Sequence, residues 1–99
     1  MILRDKIDIL KPVQTKDESI GRVITTYPID RSIRADFQPL TYNIQRKPYG
    51  ITDKTSHLIF CKDFGITAAN RIGFEGKQYS IDSILYYKSH IEIYVQVVI

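Results

Sequence analysis

Apolar and polar residues alternate with a period of two along most of this chain, and no segment sustains the roughly 3.6-residue period of an amphipathic helix. In Lys6-Ile7-Asp8-Ile9-Leu10 the isoleucines alternate with charges, which puts them on one face of a strand. Pro12 ends that segment by removing a ladder donor. Residues 14–20 are polar and read as a turn, with Gly21 marking the start of the next strand. Arg22-Val23-Ile24-Thr25-Thr26-Tyr27 is rich in β-branched and aromatic residues and reads as a strand interrupted at Pro28. In Ser32-Ile33-Arg34-Ala35-Asp36-Phe37-Gln38, Ile33, Ala35 and Phe37 face one way and the polar residues the other, until Pro39 closes the run.

Residues 40–56 lose the alternation. They hold Thr41, Asn43, Pro48, Gly50, Thr52 and Thr55 among several charges, and a patternless stretch of this length inside a small domain is usually functional or disordered. His57-Leu58-Ile59-Phe60-Cys61 resumes as a mostly buried strand. Residues 65–70 read as a turn region with one helical turn over 66–70. Residues 71–81 read as a hairpin about Glu75-Gly76, where Gly76 can supply the positive φ of a tight turn. A last hairpin joins 84–88 to 91–98 around Ser89-His90. Short strands at regular spacing imply an all-β sandwich or small barrel. An antiparallel barrel of about six to seven strands is preferred, because closure removes exposed edges.

The chain has 99 residues, enough for one core, so residues 1–99 are expected to form one domain. A hydrophobic fraction of 43% removes a disordered or fibrous reading. No apolar run approaches the roughly 20 residues that cross a bilayer. The opening MILRDKIDILK mixes charges into its apolar residues, so no secretory core is expected and the chain is read as soluble and cytosolic. The net charge of +3 is a mild bias, with Lys and Arg scattered along the chain.

The chemistry-bearing residues form no constellation. Cys61 is the single cysteine, which removes a disulfide framework, and it lies in an apolar run that suits a buried thiol. His57 and Cys61 would share a strand face with Ile59 between them, and no second ligand pair exists, so no metal or other cofactor is expected. His90 falls in a turn and is expected in solvent, as are the scattered Asp36, Asp63 and Asp82. Nothing follows Gly73 and Gly76 as a phosphate loop requires. No catalytic residue is nominated, and the expectation is a protein that binds rather than an enzyme. The strand aromatics Tyr27, Phe37, Phe60, Phe64, Phe74, Tyr79 and Tyr94 suit core packing, or else a stacking platform for single-stranded nucleic acid. Tyr42, Arg46, Lys47, Tyr49 and Lys54 stand apart because they lie in the long loop, and Tyr and Arg are enriched at interface hot spots. A solvated loop with incidental charges accounts for the same composition.

The order of features resembles a known family. The segments DKIDILKPVQTKDESIGRVITTY, SIRADFQPL and HLIFCKDFGITAANRIGFEGKQYSIDSI, followed by a Tyr-rich hairpin, are similar to the head–tail connector proteins of long-tailed bacteriophages, specifically the head-closure or stopper proteins and their prophage relatives. The resemblance is most specific over residues 66–84 and spans nearly the whole chain. It implies a compact β-barrel in a dodecameric ring of identical copies, placed in the virion at the head–tail interface after synthesis in the bacterial cytoplasm. The implied partners are the portal or adaptor ring above and a tail-terminator or tail-completion protein below, with no membrane. The loop over residues 40–56 would project into the central channel as a plug. Its Arg46, Lys47 and Lys54, opposed only by Asp53, would touch packaged DNA or an acidic adaptor surface. Such a loop is expected to be disordered in the isolated chain and to order on assembly. Two alternatives stay open: a tail-terminator or tail-completion ring protein, and an OB-like module for single-stranded nucleic acid.

Overall fold

The computed structural model describes residues 3–40 and 50–98. Among the described residues the chain is all β, with eight strands: β1 (Asp5–Leu10), β2 (Val13–Asp17), β3 (Arg22–Thr26), β4 (Ile29–Pro39), β5 (His57–Cys61), β6 (Arg71–Phe74), β7 (Lys77–Tyr86) and β8 (Ile91–Val97). Six of them close an antiparallel barrel in the order β1-β4-β5-β8-β7-β6, sealed where Asp8, Ile9 and Leu10 pair with Gly73, Ile72 and Arg71. The remaining two, β2 and β3, form a separate two-stranded sheet.

The alternation explains the barrel. Ile7 and Ile9 from β1, Ala35 from β4, Ile59 and Cys61 from β5, Ile72 from β6, Tyr79 from β7 and Ile91, Ile93 and Val95 from β8 make one buried cluster. Ile33, Phe37, Phe74, Ile81 and Ile84 pack around it. Each fully buried isoleucine contributes roughly 1.5–3 kcal/mol relative to leaving it in water. A slip of one residue in any strand would turn this set outward, so the registers are strongly specified.

Both ends are stoppered. At one end Ile66 is fully buried from the connection between β5 and β6, and the Tyr86 hydroxyl donates to its carbonyl at 2.9 Å. This connection is not the helical turn that its sequence suggests. The Asn70 N–H donates to the Thr67 carbonyl at 3.0 Å, the Asn70 side-chain oxygen accepts from the Thr67 N–H at 2.9 Å, and its Nδ2 donates to the Leu10 carbonyl at 3.1 Å. Side chains that bond the backbone this locally compete with a helix and win here. At the other end Phe37 stacks on Phe74 at 4.2 Å between centroids and meets His57 and Tyr79 at 4.8 and 5.1 Å.

Two further elements depart from the sequence reading. Strand β2 runs into residues 14–20, expected as a turn, and pairs with β3 from Val13↔Thr26 to Asp17↔Arg22. The run expected as two strands broken near residue 82 is one strand, β7, with an irregularity in register between Ile81 and Ser83 that bulges out Asp82. The tight turn does fall at Glu75-Gly76, but both residues have positive φ, at 49° and 78°. That is the type I′ pattern whose twist matches a hairpin, with Gly76 at the position where a side chain is most strained.

Candidate docking surfaces

The chain between β4 and β5 leaves and re-enters the barrel at its aromatic end. Its base is closed by the Leu40 N–H donating to the Ser56 carbonyl, and the Ser56 N–H continues to the Val95 carbonyl, both at 2.9 Å. Residues 50–56 lie on the barrel. Thr55 is 8% exposed; its hydroxyl donates to the Asp82 carboxylate at 2.7 Å and accepts from the Thr52 N–H at 3.0 Å. Gln96 donates to the other Asp82 oxygen at 2.8 Å. The bulge in β7 therefore aims Asp82 at the returning chain. Asp82, expected in solvent, is half-buried and bonded to two side chains. Gly50 seats the same stretch. It has φ +98°, and a Cβ there would stand 2.3 Å from the Asp82 carbonyl oxygen, so only glycine fits.

Of the five residues singled out in this loop, Tyr42, Arg46, Lys47 and Tyr49 lie outside the described residues. Lys54 is exposed on the turn that Thr52 and Thr55 form, with its N–H donating to the Thr52 hydroxyl at 3.2 Å. The expectation of disorder before assembly does not extend to residues 50–56, because the Thr55–Asp82–Gln96 bonds and the Gly50 contact fix them to the barrel wall.

Beneath the loop's base sits His57, whose Nδ1 lies 2.8 Å from the Ser56 hydroxyl. Burial, and secondarily the charge of Lys77, hold its imidazole below the ordinary histidine range. Burial likewise raises the Cys61 thiol. His57 and Cys61 do share the inner face of β5, with Ile59 between them. Among the described residues no group of three His, Cys, Asp or Glu side chains is placed to hold a metal ion. His90, expected in solvent, is half-buried, with its ring stacked on Tyr87 at 4.9 Å.

The second surface is an arm at the opposite end of β4. Pro12 and Pro28 interrupt the β1–β4 ladder on both strands, and the Lys11 N–H reaches the Pro28 carbonyl at 3.0 Å as the last rung before the bend. Beyond it β2 and β3 project as a ribbon that packs on no other strand of the barrel. Its β-branched side chains are therefore left in water: Val23 is 63% exposed, Ile20 at the tip 57%, and Val13 and Ile24 are exposed beside them. The tip turns through Gly21 at φ 64°, and the Asp17 carboxylate accepts from the Ser19 N–H at 3.0 Å and from its hydroxyl at 2.6 Å. Those bonds to Ser19 hold Asp17 below the usual carboxylate range. At the arm's root the Arg71 guanidinium lies 3.9 Å over the Tyr27 ring.

A third feature is an open groove on the barrel wall, lined by Leu3, Ile33, Arg34, Lys62, Asp63 and Phe64. Phe64 is 47% exposed there. Asp63 belongs to the groove floor, since Arg31 bonds it, lowers its pKa and itself reaches on to Asp30. Arg34 and Lys62 are exposed and form no ion pair with a described carboxylate.

Strand β4 spans 11 residues, so loop and arm are separated by roughly 33 Å along it at about 3.3 Å per residue. The molecule measures 49 Å in its longest dimension against 27 and 25 Å in the others. The arm had a legible half, the Val-Ile-Thr-Thr run of β3. Its partner strand was missed because Val13-Gln14-Thr15-Lys16-Asp17 has water on both faces, and alternation appears only where one face is buried.

No family model and no curated protein matches the chain. Among solved structures, the fold is similar to the solution structure of protein SF1141 from Shigella flexneri 2a, with a TM-score of 0.76 and 21% sequence identity over 97% of this chain and 93% of that one. The likeness establishes a shared barrel architecture over almost the full length of both chains.

Proposed function

We propose that this chain is a head-closure component of a tailed bacteriophage or prophage, a structural protein that joins the head to the tail. The observation that carries the proposal is the placement of two elements at opposite ends of one barrel strand: a loop whose described residues 50–56 are seated on Asp82 at one end, and an apolar-bearing arm that packs on no barrel strand at the other. A protein that sits between two different assemblies needs two separate contact surfaces on a rigid body, and a closed barrel supplies that body. The loop between β4 and β5 is the segment that would face the channel, with Lys54 and the loop's Tyr42, Arg46, Lys47 and Tyr49 toward packaged DNA or an adaptor ring. The identical copies in a ring would multiply contacts that are weak one by one.

An OB-like nucleic-acid module has less support. OB folds are five-stranded and partly open, whereas six strands close this barrel. A tail-terminator or tail-completion ring protein is the nearer alternative, and the phenotype of a deletion separates it. Deleting the gene in the parent phage or induced prophage, followed by electron microscopy, is expected to give separate tails and heads that package DNA and then lose it. Full, stable, tailless heads would place the chain in a docking layer without a closing role. Normal tailed particles would overturn the connector reading.

A further inference from the structure

We propose that the β2–β3 arm of one copy docks by its tip into the wall groove of a second copy of this chain, in a head-to-tail contact. The two surfaces differ, and they complement each other. The tip presents exposed Ile20 beside the carboxylates of Asp17 and Glu18, with Lys16 and Arg22 behind them where the ribbon begins. The groove presents exposed Phe64 with half-buried Leu3 and Ile33, flanked by Arg34 and Lys62, neither in an ion pair with a described carboxylate, while Asp63 at its floor is already paired with Arg31. Within one molecule the arm packs on no strand but its own partner. An isolated two-stranded ribbon is marginally stable in water, and one that keeps the apolar side chains of Val13, Ile20, Val23 and Ile24 exposed gains from any apolar seat it can reach. Both halves of the contact are encoded by a single chain, and this selects another copy over an unrelated partner.

Because tip and groove are different patches, the contact is heterologous. Such contacts propagate from copy to copy and make a ring when the rotation closes. The inference deepens the head-closure reading and rests on it only for the closed ring. A tip of a few residues buries less than a standard interface, so a single contact is weak and is seen at high protein concentration. It weakens with added salt, because the flanking charges are exposed.

Sedimentation velocity on the full chain tests this in solution, apart from any particle phenotype. Wild-type protein is expected to self-associate as its concentration is raised. Ile20→Asp in the arm, and Arg34→Glu with Lys62→Glu in the groove, should each lower the association constant about tenfold or more. All three positions are at the surface, so circular dichroism and melting curves should match the wild type. Mixing the two variants is the decisive arm: the groove variant still has its tip and the arm variant still has its groove, so the mixture should form a heterodimer that grows no further. A wild-type chain that stays monomeric up to its solubility limit overturns the proposal. So does a groove variant that associates like the wild type, which would indicate arm-to-arm pairing, and so does a mixture that forms no complex. Normal tailed particles in the deletion experiment would remove the head-closure reading and leave this contact standing.

Discussion

His57 stands where the barrel wall meets the base of the loop, its ring 4.8 Å from Phe37 and 5.4 Å from Tyr79. Its pKa is depressed in the folded state by burial, from an ordinary value of 6.5. The unfolded chain therefore takes up the proton first as the pH falls. The stability tied to neutral His57 is fully present above pH 6.5 and is lost as the pH drops from there toward the folded pKa. Urea midpoints are expected to decline over that range in the wild type, and the decline should be smaller in His57→Leu, which keeps an apolar side chain among the aromatics. An equal decline in both proteins would assign the acid sensitivity elsewhere. Asp63 works in the same sense at lower pH: the Arg31 bond lowers its pKa, so its contribution is full above the ordinary 3.8 and is lost as the pH falls from there toward the depressed folded value. Neither behaviour was legible in the sequence. Arg31 and Asp63 are 32 positions apart, and His57 gains its aromatic neighbours Phe37 and Tyr79 from two other strands.

At the scale of elements, what could be read depended on which faces meet water. The strands with one dry face, β1, β4, β5 and β8, announce themselves through Ile7/Ile9, Ile33/Ala35/Phe37, Ile59/Cys61 and Ile91/Ile93/Val95. The prolines at 12, 28 and 39 mark strand ends as expected. The bulge at Asp82 had no local signal, because a bulge is defined by the partner strand, here β8 with Val95 and Tyr94 facing Ile81 and Ser83. In the candidate loop nothing local marked Gly50 as fixed, because the Asp82 carbonyl that demands it lies 32 residues on. The arm gives a prediction of its own. Replacing Val23 and Ile24 by threonine, or residues 13–26 by a short turn, removes no packing from the barrel. Unfolding free energy should change by no more than about 0.5 kcal/mol for the point substitutions, measured by denaturant titration, while association in concentrated solution should fall. A large loss of stability would mean that the arm braces the barrel.

For the whole molecule, closure decides how load is shared. Every barrel strand is paired on both sides, so a defect at the centre is felt all round. Ile93 on β8 is fully buried, and its strand joins β5 to β7. Ile93→Ala is expected to cost about 2–5 kcal/mol, read as a lowered urea midpoint with unchanged slope. Substitutions at exposed Tyr87 or Lys88 in the β7–β8 turn should leave the midpoint nearly in place.

The buried sulfur of Cys61 gives this architecture an internal clock. The thiol is fully enclosed, and burial also disfavours its reactive thiolate. With no other cysteine in the chain, a thiol reagent can react only when the wall between β4, β5 and β8 parts. The rate at which the reagent is consumed therefore counts openings of the barrel, and a dye placed there would signal the moment at which a ring, a partner or a drop in pH pulls the staves apart.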